Sequence, residues 1–135
     1  VGIASVSGIR GLPGSEAYGA SKSAVITYNE SLRVGLRKTG IKVQTISPGF
    51  VRTPLTSANP YKMPFVLTPD EFAERAVKTI DSDASYRTIP WQMGLLAKAM
   101  RIAPNCLWDK IVANRKQKPR LADKQKAEAE AAQRK

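Results

Sequence analysis

Residues 5–22, SVSGIRGLPGSEAYGASK, constrain the fold more than any other stretch, because they lead from an extended run through a glycine-rich loop into a helix. The run before them, Val1, Gly2, Ile3 and Ala4, is short and apolar, as expected of a strand buried on both faces of a parallel sheet. Residues 8–15 read as a loop punctuated by Gly8, Gly11, Pro13 and Gly14, and Ser15 is placed to cap a helix starting at residue 16. From there to about residue 39 the apolar positions Ala17, Ala20, Ala24, Val25, Tyr28, Leu32 and Leu36 recur at helical spacing. Gly40 then supplies a C-cap. Ser5 therefore stands at the carboxyl end of a strand, the side on which open parallel sheets bind ligands.

Within the helix, Tyr18 and Lys22 are four residues apart, so phenol and ammonium project from one face about a turn apart. A free phenol loses its proton only near about pH 10. A neighbouring cation and the unpaired N–H groups of a first helical turn both favour the anion, which suits a tyrosine to general acid/base work. Taken alone, the spacing reads as a solvated surface pair, Ser5 as a turn serine, and Ser7 as a second hydroxyl of that kind.

Residues 41–46 are rich in β-branched side chains and fit a second strand, broken by Ser47, Pro48 and Gly49. Glycine there would let backbone lie against a flat ring, and proline would fix the chain direction. An ordinary strand-to-loop turn is the alternative. Residues 54–67, with Pro54, Pro60 and Pro64 among Tyr61, Met63, Phe65 and Val66, show no periodic element and read as a lid closing over an apolar part of a substrate. Thr68, Pro69, Asp70 and Glu71 form a helix start of capping threonine, first-turn proline and capping-box glutamate, with Phe72, Ala73, Ala76, Val77 and Ile80 as the buried face. Residues 86–89 read as a last short strand before Pro90.

Ser5, Tyr18 and Lys22, the small-residue run Ala20, Ser21, Lys22, Ser23 and Ala24, and Pro48-Gly49 with Thr53 resemble, in order and spacing, the carboxyl-terminal half of a classical short-chain dehydrogenase/reductase. The likeness covers roughly residues 1–90. It implies an α/β fold, the carboxyl-terminal half of a three-layer Rossmann-like parallel sheet, and an NAD- or NADP-dependent oxidoreductase interconverting an alcohol and a ketone or aldehyde. By resemblance Ser5 holds the substrate carbonyl oxygen and Tyr18 is the general acid/base. Lys22 assists the tyrosine and bonds the nicotinamide ribose, while Pro48, Gly49, the Val51 backbone and the Thr53 hydroxyl line the nicotinamide pocket. The helix over residues 16–39 would pack against its counterpart in a homo-oligomer. The substrate expected under an apolar lid is a hydrophobic alcohol or carbonyl compound.

Several features bound this reading. The chain has 135 residues, enough for one domain, and opens with valine inside a strand-like run, which suggests a fragment or processed product. The family's glycine-rich phosphate turn, its NAD/NADP-selecting residue and its upstream relay asparagine are not in these 135 residues. Gly8, Gly11 and Gly14 do not replace that turn, so the chain alone is expected to bind dinucleotide poorly. Histidine is absent, which excludes histidine-based hydrolysis within these residues; clustered cysteines are absent too, so no metal site is expected. The single cysteine, Cys106, reads as a small packing residue. Without a signal peptide or membrane-length apolar run, a cytoplasmic location is expected.

The net charge of +11 raises a different class of function, a basic module binding membrane or nucleic acid without catalysis. Residues 114–135 hold eight lysines and arginines against three acids, so much of the excess lies in a tail expected to be solvated, distinct from the domain over residues 1–113. No nucleic-acid partner is expected. Trp91, Met93, Leu95, Leu96, Met100 and Ile102 with Lys98 and Arg101 make one amphipathic basic segment, and Leu107, Trp108, Ile111 and Val112 another. Two helices covering a cleft or an oligomer face are favoured over interfacial membrane contact.

Overall fold

The computed structural model describes residues 1–57 and 62–113. Three short strands, β1 (Gly2–Ile3), β2 (Thr45–Pro48) and β3 (Tyr86–Ile89), run parallel in that order. The long helix α1 (Glu16–Leu36) joins β1 to β2. Between β2 and β3 lie α2 (Pro54–Ser57) and α3 (Pro69–Ile80), and α4 (Trp91–Ile102) and α5 (Asn105–Val112) come after β3. This is the expected Rossmann-like α/β architecture, with a small core of Ile46, Leu67 and Ile89 backed by Phe72 and Ala76. The expected tail, and Pro60 and Tyr61 of the expected lid, lie outside the described residues.

The second strand begins and ends later than residues 41–46. Ile41 is exposed and Lys42 pairs with Asp83 at 2.8 Å, so both stand outside the sheet. Gln44 decides where the strand begins. Its buried amide nitrogen donates to the carbonyls of Thr79, Ser82 and Ala84 at 3.1, 2.9 and 3.1 Å, which fastens the entry of β2 to the turn leading into β3. Nor does Pro48 break the strand. Its missing N–H would face β1, whose ladder with β2 ends at the Ile3 and Ile46 pair, while on the other edge Gly49 still donates to Ile89 at 2.8 Å.

Burial differs from expectation wherever it depends on distant neighbours. Ile3 is 47% exposed, so β1 is not covered on both faces; its second edge carries no strand among the described residues. Helix α1 stops at Leu36, where the Thr39 hydroxyl caps the Leu36 carbonyl at 2.7 Å, and Gly40 turns the chain at φ 76°. Its buried positions are Gly19 and Asn29; of the expected apolar stripe Val25 and Leu36 are partly buried, while Ala17, Ala20, Ala24, Tyr28 and Leu32 are exposed. On α3, Phe72 and Ala76 pack on the core and Thr79 is buried, a stripe at i, i+4 and i+7. Ala73, Val77 and Ile80 lie about 100° round the helix and face outward, against expectation.

The start of α3 matches its sequence signature. Thr68 accepts from the Glu71 N–H at 3.2 Å, Glu71 accepts from the Thr68 N–H at 2.8 Å, and Pro69 occupies the first turn. The Thr68 backbone and hydroxyl hold the Glu71 carboxyl below its usual range, with Arg75 and Arg52 adding to the effect.

At the other end, α4 and α5 are fastened to residues 9–11 by exchange of side chains. The Arg10 guanidinium donates to the Met100 and Ala103 carbonyls at 2.8 and 2.6 Å and to Asn105 Oδ1 at 2.9 Å, and lies 5.1 Å from the Trp108 ring centroid. It thereby satisfies carbonyls that the last turn of α4 leaves open. In return Arg101 donates to the Ile9 carbonyl and Trp108 Nε1 to the Gly11 carbonyl. Cys106, expected to pack, is exposed, because α5 buries Trp108 and Val112 instead.

A depressed carboxyl stabilises the fold above its ordinary unfolded range and loses that contribution as pH falls through the lower folded value. Thermal unfolding followed from pH 6 downward through the carboxylate range should therefore show a smaller acid loss of Tm in Glu71→Gln than in the unaltered chain. Equal losses in both would contradict the capping role.

Candidate functional site

Extending the register, in which Ile3 pairs with Ile46 and Pro48 with Ile89, puts Ser5 level with Pro48 and Pro48 level with Ile89 at the carboxyl edge of the sheet. Ser5 caps a short 3-10 turn, Val6–Gly8, that sequence periodicity did not indicate. Its Oγ accepts from the Ser7 N–H at 3.2 Å, so the Ser5 hydroxyl hydrogen remains to be donated elsewhere. Ser5 is 6% exposed, and Ser7 serves as the backbone donor of its turn.

The 3-10 turn is pressed against α1. A Cβ at Gly8 would stand 2.7 Å from the backbone carbon of Lys22 and the backbone nitrogen of Ser23, so only glycine lets the two backbones meet. Through this contact the segment carrying Ser5 reaches the helical turn carrying Lys22.

On that turn, Lys22 Nζ lies 5.8 Å from the Tyr18 ring centroid, which places the two side chains on one face of α1. Tyr18 is the third residue of the helix and half exposed. Lys22 is partly buried and donates to the Ile3 carbonyl at 3.2 Å, an anchor that leaves further ammonium hydrogens for another acceptor. Ser5, Tyr18 and Lys22 are thus tied together through β1, the 3-10 turn and α1.

The residues after β2 carry the other expected site positions. Gly49 lies over Met93 and Pro90, where an added Cβ would approach to 2.7 and 3.3 Å. Val51 bridges to Leu67, with Leu67 N–H donating to Phe50 at 3.0 Å and Arg52 N–H to Leu67 at 2.9 Å, so both ends of the expected lid are drawn together. Within it, Phe65 is half exposed at φ 55°.

Thr53 depends on a residue that sequence reasoning misses. The Thr56 hydroxyl lies 3.3 Å from the Thr53 hydroxyl, accepts from the Thr53 N–H at 2.9 Å and donates to the Val51 carbonyl at 2.7 Å. A signal exists: Thr53, Pro54 and Thr56 repeat the threonine–proline helix start seen at Thr68 and Pro69. Another buried hydroxyl, that of Ser47, accepts from Tyr86 at 2.7 Å and braces the strand leading to these residues.

Chemically, the site residues offer a phenol, a hydroxyl and an ammonium tied together through β1 and α1, and the loop after β2 offers polar threonine side chains. That donor set fits the sugar hydroxyls and amide of a nicotinamide nucleoside together with the oxygen of a small alcohol or carbonyl compound. No group of histidine, cysteine, aspartate and glutamate that could hold a metal ion occurs among the described residues.

Comparison with known proteins bears on the family and the fold. The family model described as short chain dehydrogenase matches residues 1–63. An uncharacterized oxidoreductase of Myxococcus xanthus is 41% identical over 109 residues, covering 81% of this chain and 43% of the relative. Another, from Staphylococcus saprophyticus, is 40% identical over 77 residues, covering 57% of this chain and 33% of the relative. The chain thus spans less than half the length of these curated relatives. Among solved structures, a short-chain dehydrogenase from Sphingobium yanoikuyae in complex with NADPH superposes with TM-score 0.60 at 23% identity, over 87% of this chain and 46% of that one, a likeness of fold. What the chain is similar to in these matches is the short-chain dehydrogenase family.

If the backbone contact at Gly8 holds the site together, Gly8→Ala should lower unfolding stability by about 1–3 kcal/mol, the usual cost of forcing atoms into a filled space. Chemical denaturation checks this, and an unchanged midpoint would show that the turn can withdraw from α1 at no cost.

Proposed function

We propose that this chain is the proton-handling part of an NAD- or NADP-dependent short-chain oxidoreductase that interconverts an alcohol and a ketone or aldehyde. The observation that carries the reading is the Tyr18 and Lys22 pair, 5.8 Å apart on α1, held against the turn that Ser5 caps. Both the family match over residues 1–63 and the parallel-sheet fold shared with an NADPH-bound short-chain dehydrogenase support it.

In the reductive direction Tyr18 gives its phenolic proton to the carbonyl oxygen while Ser5 donates a hydrogen bond to the same oxygen; in the oxidative direction the proton returns to Tyr18. Lys22 keeps a positive charge beside the proton transfer and offers its remaining hydrogens to ribose hydroxyls. Pro48 and Gly49, the Val51 backbone and Thr53 would line the nicotinamide side, with Thr56 orienting Thr53. When bound, the nicotinamide supplies or takes up the hydride, which is the cofactor's own chemistry.

Residues 54–67 act as the lid in this proposal, and Phe65 on it favours a hydrophobic alcohol or carbonyl substrate. The exposed stripe of Ala17, Ala20, Ala24, Tyr28 and Leu32 on α1 is the surface for a second copy, which would make the active form a homo-oligomer. Dinucleotide binding would also need a phosphate-binding turn from outside residues 1–135.

The test is dinucleotide-dependent carbonyl reduction by a protein in which this sequence is joined to an amino-terminal half carrying a phosphate-binding turn. Tyr18→Phe should lower turnover by about a hundredfold or more while leaving the far-ultraviolet circular dichroism unchanged. Unchanged turnover in a folded Tyr18→Phe protein would refute the assignment.

A further inference from the structure

The α4–α5 unit has one face committed and one open. Its inner side is fixed to residues 9–11 through Arg10, Arg101 and Trp108. On the outer side Trp91, Leu95 and Ile102 are 62%, 59% and 82% exposed. At 100° per residue they fall within about 40° of one another on α4. Ala99 and Leu96 continue this arc to a groove of about 480 Å³ between the helices, whose far rim is Leu107 and Ile111. Exposed apolar surface of this extent calls for an occupant.

Charge identifies the occupant. Lys98 stands on α4 at the border of the apolar stripe and Lys110 on α5 next to Ile111, both exposed, and Asp109 is the only acid between residues 91 and 113. The sequence beyond α5 adds eight basic residues against three acids. A second copy docked on this face would bring like charges together, and a nucleic acid would leave the apolar stripe unpaired. An anionic lipid surface satisfies both features, taking apolar side chains below the headgroups and lysines at their level. No helix among the described residues is long and apolar enough to cross a membrane, so contact is along the surface.

We propose that the outer face of α4 and α5 is a docking surface for an anionic lipid bilayer, with Trp91, Leu95 and Ile102 inserted and Lys98 and Lys110 on headgroup phosphates. The inference is independent of Tyr18 chemistry.

The test is co-sedimentation of the full chain with phosphatidylcholine vesicles and with vesicles of equal parts phosphatidylcholine and phosphatidylglycerol. Binding should favour the anionic vesicles, weaken as salt rises, and shift tryptophan emission to shorter wavelength, a shift largely lost in Trp91→Phe. Leu95→Asp and Ile102→Asp, at exposed positions, should each weaken binding roughly tenfold or more. Lys98→Glu combined with Lys110→Glu should abolish the preference for anionic lipid. The proposal is overturned if the chain stays in the supernatant, binds both vesicle types equally, or binds without change in Trp91 emission. It is equally overturned if Leu95→Asp leaves vesicle binding intact while converting a dimer to a monomer.

Discussion

One contact of backbone against backbone holds the candidate site together. The 3-10 turn after β1 ends in Gly8, and the absence of a side chain there lets the turn lie directly on the Lys22–Ser23 peptide of α1. Ser5, Tyr18 and Lys22 come from two different elements, and neither could fix the other through long side chains with the same rigidity. Hydrogen bonds then refine the arrangement: Ser5 to the turn, Lys22 to β1, Thr56 to Thr53. These polar ties are local, whereas the glycine contact sets the distance between the elements that carry them.

The module after β3 shows a different principle. Arg10 belongs to the loop joining Ser5 to the helix of Tyr18, yet its guanidinium ends at the last turn of α4 and over Trp108. Planar, always charged and rich in donors, arginine can close a helix end and stack on an aromatic ring at once. The loop is therefore restrained from both sides, by α1 through Gly8 and by the carboxyl-terminal helices through Arg10.

How much of this is legible in the sequence depends on how local its cause is. The start of α3 at Thr68-Pro69 and the strand at Tyr86 are readable because caps, prolines and β-branched runs act within a few residues. So is the common face of Tyr18 and Lys22, which helical pitch alone dictates. The exposed stripes on α1 and α3 escape such reading because periodicity reveals that apolar residues share a face without saying which face the sheet covers. The start of β2 escapes it for a similar reason: it depends on Gln44 finding three carbonyls some 35 to 40 residues away. Arg10 gives no local sign of its role, since its partners lie 90 or more positions downstream.

The open edge of β1 links sheet architecture to the ammonium of the candidate site. Gly2 and Ala4 turn their peptide N–H groups toward β2, so the Ile3 carbonyl between them points the other way, and Lys22 now occupies it at 3.2 Å. A further parallel strand laid along that side would bring its own amide to the same oxygen. Lys22 would then have to share its anchor or give it up, and the lateral growth of the sheet would decide how tightly the cation is tethered.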